Sequence, residues 1–119
     1  MSLVARHLEE NGVPTVVMGS ARDVVEECGI ARFVFTDFPL GNPCGKPWDA
    51  KMQRSIVGTG LDMLEKAWMA RTTAQTPFTW GSDEWRDAFM RVDDSNREAL
   101  ARAGEERRRL QEETKKDKR

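Results

Sequence analysis

Residues 35–49, FTDFPLGNPCGKPWD, limit this chain more than any other stretch. Pro39, Pro43 and Pro47 each lack an N–H and fix φ, so neither a helix nor a sheet strand can run through them. Gly41 and Gly45 separate the prolines, and Asp37, Asn42, Cys44, Lys46 and Asp49 add polar or reactive groups. The stretch follows an apolar run, Arg32-Phe33-Val34-Phe35-Thr36, that reads as a strand. A stiff loop at the end of a strand in an α/β unit lies where a ligand or partner crevice forms. The alternative is a rigid connection to the next helix, and residue types alone leave both open.

The segments before the loop alternate in type. Ser2 is placed to cap a short helix with Leu3, Val4 and Leu8 on one face, stopped by Asn11-Gly12. Pro14 to Met18 is short and β-branched, the pattern of a buried strand. Gly19-Ser20 turns into a helix over about Ala21 to Cys28, with Val24 and Val25 inward and Gly29 as its stop. Ile30 to Thr36 is the second strand. An α-β-α-β order of this length favours parallel strands and a right-handed crossover.

After the loop, Met52, Ile56, Leu61, Leu64 and Trp68 recur at near-helical spacing and predict a helix from about Trp48 to Met69, with Asp49 near its N-terminus. Gly58 and Gly60 weaken it unless another backbone packs closely or the helix bends. Arg71 to Phe78 reads as irregular or a short extended segment. Ser82 is placed to cap a second amphipathic turn, Asp83 to Val92, whose apolar residues are Trp85, Phe89 and Met90. From Ser95 the chain is Arg/Glu-rich and helical, with a thin seam of Leu100, Ala103 and Leu110, and it is expected to fray into KKDKR. Without three clean heptads an autonomous coiled coil is not expected.

The expected fold class is α/β: an incomplete Rossmann-like parallel α-β-α-β unit, followed by a long helix and a charged helical tail. Residues 1–72 form the α/β domain, 73–94 a Trp-rich interface segment, and 95–119 the tail. Two strands are too few, because a parallel pair is buried on both faces and its edges need cover. Trp48, Trp68, Trp80 and Trp85 suit aromatic anchors of an interface, or an ordinary small core. The sheet is therefore expected to be completed by another chain or a second copy.

The 119 residues allow one modest core, and no run approaches the length of a membrane span. The N-terminus lacks the apolar centre of a signal peptide, so a cytoplasmic location is expected. A net charge of −1 gives no reason to expect nucleic acid. Cys28 and Cys44, with no CxxC spacing and His7 alone, make a structural zinc site improbable. No residue pattern identifies a cofactor.

Gly19, Ser20 and Arg22 sit where a strand opens into a helix and can receive an anionic group, although neither GxGxxG nor GxxxxGK[ST] is present. Ser20 as a plain helix cap is the simpler reading. Cys44, two residues from Lys46, is the candidate nucleophile, since a nearby ammonium favours the thiolate. Lys46 and Asn42 are candidate substrate contacts, and Asp37 can order Lys46. Asp49 reads best as the cap of the long helix, His7 as a half-exposed helix residue, and Cys28 as a small buried hydrophobe.

Residues 11–49, with a Gly-Val-Pro-Thr-Val strand, a small-residue turn, a helix, a second strand and the loop Pro39-Leu40-Gly41-Asn42-Pro43, resemble the C-terminal part of the selenoprotein B family. The likeness covers about the first 70 residues. That family comprises substrate-binding subunits of glycine, sarcosine, betaine and D-proline reductases. Its redox-active selenocysteine or cysteine lies in an earlier motif that has no counterpart here, so Cys44 does not inherit that role. The resemblance implies a small subunit of a heteromeric thiol- or selenol-dependent reductase. Its strand-end loops would complete a small-molecule site with a companion subunit carrying the rest of the α/β domain. A non-catalytic assembly subunit is the second reading, and a homo-oligomeric thiol enzyme built on Cys44 the third.

Overall fold

The computed structural model describes residues 1–89 and 91–117, with side chains through residue 115. The chain divides into two units, Met1–Trp85 and a second from Arg86 onward. Met90, expected on the apolar side of the second amphipathic turn, lies outside the described residues, as do residues 118 and 119.

The first unit is mixed α/β, built on a parallel sheet of three strands. Its elements are α1 (Ser2–Glu10), β1 (Val17–Gly19), α2 (Arg22–Glu27), β2 (Arg32–Phe35), α3 (Ala50–Lys66) and β3 (Thr72–Gln75). Strand order follows chain order, with Val17 opposite Phe33 and Phe33 opposite Thr73. The expectation of two strands is corrected: the segment read as irregular or short extended supplies β3. Central β2 is covered on both sides, which is why it reads as a near-continuous apolar run.

Alternate residues of β2 feed two cores. Phe33 and Phe35 join Ile30, with Val17, Val25 and Cys28 packed against them on the α2 side. Val34 joins Ile56 and Met63, with Val16, Met18 and Met52 around them on the α3 side. The two helices thus lie on opposite faces, while both connections step the same way across the sheet. The two crossovers therefore have opposite hands, and only one has the favoured right hand. The second connection carries the whole proline loop as well as α3, so it is not the short βαβ unit to which that rule applies most strictly.

Helix ends differ from expectation in detail. Ser2 is the first helical residue and Met1 the cap, with no side-chain bond. Likewise α2 begins after Ala21, again without a side-chain cap, so Ser20 does not cap it. At α3 the expected cap holds: Asp49 accepts the Met52 N–H at 3.0 Å. The helix is shorter than the spacing of Met52 to Trp68 suggests, ending at Lys66 with Ala67 extended. Gly60 is buried under the sheet, where an added Cβ would sit 3.6 Å from Met18 Sδ and 3.7 Å from Val16. Gly58 faces open space.

Next, α4 (Glu84–Ala88) begins two residues after Ser82. In the second unit, α5 spans Arg97–Asp117 and continues through Lys115, where fraying was expected to start. Its start is built by Asp93, whose carboxylate accepts the Ser95 N–H at 3.0 Å and the Ser95 hydroxyl. The Ser95 hydroxyl holds the Asp93 carboxyl below its ordinary pKa. Charged pairs one turn apart, Arg102 with Glu98 and Arg109 with Glu113, line the helix. Leu100 and Leu110 remain exposed.

Candidate functional site

Parallel strands bring all their C-terminal ends to one edge of the sheet. There Gly19-Ser20, Thr36-Asp37-Phe38 and Thr76 lie side by side. The ladder continues past the strands, with Thr36 N–H donating to Gly19 O at 3.0 Å and Thr76 N–H to Phe35 O at 2.9 Å. Thr36 is fully buried and Thr76 nearly so, and the Thr76 hydroxyl donates to that of Thr36 at 3.2 Å. Sequence reasoning missed this pair of hydroxyls. Its signal was faint: each threonine directly follows the last residue of a strand, and β3 itself was not recognised.

Ser20 belongs to the same rim. Its Oγ is shielded from solvent and has no hydrogen-bond partner among the described residues. A buried hydroxyl without a partner carries a desolvation cost that a ligand or neighbouring chain can relieve. Arg22 lies next to it, with its guanidinium 5.7 Å from the centre of the Phe35 ring and 3.0 Å from Glu26. Glu26 also accepts the Thr73 hydroxyl at 2.8 Å. That bond first, and Arg22 after it, hold the Glu26 carboxyl below its ordinary pKa. Arg22 is half-exposed, so its pairing with Glu26 leaves donors available to an anion.

The proline loop follows Phe38. Asn42 shapes it, donating through Nδ2 to Pro39 O at 3.3 Å while its own carbonyl accepts the Gly45 N–H at 3.4 Å. Gly45 has φ +106°, and a Cβ there would lie 3.2 Å from Ile56 and Met52, so glycine alone fits against α3. The Lys46 ammonium sits 5.8 Å from the centre of the Trp80 ring, a cation–π distance. Trp80 is in turn edge-on to buried Phe38 at 5.2 Å. The Lys46 carbonyl accepts Gln53 Nε2 at 2.7 Å, tying the loop to the first turn of α3. Asp37 is half-buried on the rim between Thr36 and Phe38.

Cys44 stands apart. It lines a pocket of about 440 Å³ beside α1 and β1, with Val4, Leu8, Val16, Met18 and Pro43. This pocket contains none of the other six expected site residues. Val16 and Met18 belong to the α3 face of the sheet, whereas Arg22 lies over Phe35 on the α2 face. The seven residues therefore fall into two groups: Gly19, Ser20, Arg22 and Asp37 along the strand-end rim, and Asn42, Cys44 and Lys46 along the loop. Among the described residues, no three His, Cys, Asp or Glu side chains gather where they could hold a metal ion. No helix among them is long and apolar enough to cross a membrane.

The chain is similar to D-proline reductase subunit gamma of Acetoanaerobium sticklandii, with 30% identity over 78 residues. The likeness is to a reductase subunit. It takes in 66% of this chain but 32% of that protein, so the chain spans about a third of the relative's length. This supports a distant relation to the reductases that the loop sequence brought to notice. No protein-family model matches the chain, and no solved structure matches it.

Proposed function

We propose that this chain is the small subunit of a heteromeric, thiol- or selenol-dependent reductase. Its strand-end loops form one wall of a small-molecule site. The observation that carries the reading is the similarity to a D-proline reductase subunit over two thirds of the chain. The rim supports it physically, because three strand ends lie together there with a Ser20 hydroxyl that has no partner among the described residues, and half-exposed Arg22 follows two residues on.

In this reading the three strands are part of a larger Rossmann-like sheet. A companion polypeptide extends it, carrying the counterpart of the two thirds of the relative that this chain does not match. The companion supplies the sulfur or selenium nucleophile. Gly19, Ser20 and Arg22 hold an anionic group of the substrate, such as a carboxylate, and Lys46, Asn42 and Asp37 border it from the loop. Cys44, in its apolar pocket, is at most a secondary participant.

The test is the reconstituted complex, assayed with D-proline and a dithiol reductant as the first substrate pair. Replacing Arg22 and Lys46 together by Ala is expected to weaken substrate binding at least tenfold, with turnover falling as well. If affinity and turnover are both unchanged, the site assignment is wrong. In the same assay Cys44→Ser is expected to leave turnover within about twofold, and a complete loss would restore Cys44 as the nucleophile.

A second reading has its own support. Trp48 is 100% exposed with φ +65°, a strained conformation for a bulky residue, and Trp68 is 88% exposed. Exposed tryptophans of this kind suit anchors of an assembly subunit that holds a larger enzyme together. Unaltered turnover of the companion without this chain would favour that role.

A further inference from the structure

Lys46 is half-buried and, among the described residues, pairs with no carboxylate. The ordering expected of Asp37 comes instead from an aromatic ring. Lys46 Nζ stands 5.8 Å from the centre of the Trp80 indole. The indole is itself set edge-on against Phe38, with centres 5.2 Å apart and planes at 70°. Phe38 is buried and its N–H donates to Thr36 O at 2.8 Å, so the pair of rings is keyed to the end of β2. The main chain of Lys46 is fixed separately. Its carbonyl accepts Gln53 Nε2 at 2.7 Å and the Asp49 N–H at 3.3 Å. Gly81, directly after Trp80, has φ +116°, and a Cβ there would lie 3.7 Å from Lys46 Nζ. Only glycine turns easily in that conformation, which lets the chain bend close beside the ammonium.

The kind of contact decides what Lys46 can do. A carboxylate in place of the indole would cancel the charge and occupy the donors. An aromatic face attracts an ammonium through the ring quadrupole, yet leaves its full charge and the N–H groups turned away from the ring. A lysine on a free stem gives up rotamer entropy when it closes on an anion. Here the indole orders the stem beforehand. Trp80 differs in this from Trp48 and Trp68, which are largely exposed, because its ring is engaged with Phe38 and Lys46 of its own chain.

We infer that Trp80 is a positioning residue of the proposed site, holding the Lys46 ammonium uncompensated for an anionic group of the ligand. This rests on the reading of Lys46 as a substrate contact, and it assigns Trp80 to the site rather than to an interface. A tryptophan that merely fills space beside Phe38 could give way to leucine. One that positions an ammonium needs a π face, which phenylalanine keeps and leucine lacks.

The experiment follows the lysine ε-methylene resonances of the full chain, isotopically labelled at lysine, with inorganic phosphate as the anion probe. The Lys46 protons are expected upfield of those of the other lysines, through the indole ring current. They are also expected to respond to phosphate at concentrations below those that move exposed Lys51. Trp80→Leu removes the upfield shift and raises the half-saturating phosphate concentration about threefold, the size of one exposed cation–π contact. Trp80→Phe keeps most of both, and unchanged thermal melts show that folding is intact. An unshifted Lys46 in the unsubstituted chain overturns the inference without recourse to any variant. Equal phosphate responses before and after Trp80→Leu make Trp80 a packing residue and leave the proposed function standing. A Lys46 that responds no earlier than Lys51 overturns the inference together with the place of Lys46 in the substrate site. Binding of the companion polypeptide is read separately by sedimentation, so the two failures are distinct.

Discussion

At the scale of single residues, the contacts that fix the strand ends are tertiary and mostly invisible in sequence. Glu9 shows this well. Its carboxylate takes the N–H and hydroxyl of Thr15 and lies 2.7 Å from Arg32, joining α1 to the starts of β1 and β2. Burial pushes its pKa up, but the Thr15 bonds and the Arg32 charge outweigh that and hold it below the ordinary value. A carboxyl depressed in the folded state contributes stability in full above its unfolded pKa and loses it as pH falls through the folded one. Stability is therefore expected to decline on acidification below about pH 5. Glu9→Gln lowers stability at neutral pH and flattens that decline, as denaturant midpoints across pH would show. An unchanged acid limb would remove Glu9 from this role. Asp49 was legible as a helix cap because its partner is local, three residues on. The buried Thr36–Thr76 pair was not, because its members lie 40 residues apart.

Among the elements, legibility followed apolar content. Central β2 was plain from Phe33 and Val34, and Met52 and Ile56 were read on the apolar side of α3, but buried Met63 was missed, and Leu61 and Trp68, expected on that side, are exposed. β3 was missed because Thr72–Gln75 has no large apolar residue, as expected of an edge strand whose exposed side faces solvent. Its role depends on pairing with β2, which sequence patterning cannot display. The weakness read in α3 divides in two. Gly60 lies close under the sheet, whereas Gly58 has no atom within 4 Å of an added Cβ and no positive φ. Gly58→Ala is thus expected to stabilise the fold by about 0.5–1 kcal/mol through helix propensity. Urea titration checks it, and a loss of stability would mean that position 58 is covered by something other than solvent.

For the whole molecule, the sequence suggested a sheet needing completion because only two strands could be read. A third strand answers part of that need. Among the described residues both β1 and β3 pair with β2 alone, and each carries exposed apolar surface beside it, Leu61 and Val57 near β1 and Trp68 near β3. The proline loop also takes a different place from the one its composition suggested. Its Asn42 and Gly45 shape the turn against α3, and its Cys44 joins the β1-side pocket. The strand-end rim, which carries the candidate substrate contacts, is formed by residues that lie mostly before the loop.

As proposed above, this chain functions as one component of a two-polypeptide enzyme and binds the other directly. Sedimentation velocity of the purified chain, alone and with an equimolar amount of the companion polypeptide, tests it most directly. A discrete heteromeric complex is expected, with the free-chain boundary depleted. A chain that sediments as a monodisperse, cooperatively folded monomer, unchanged when the companion is added, would contradict it.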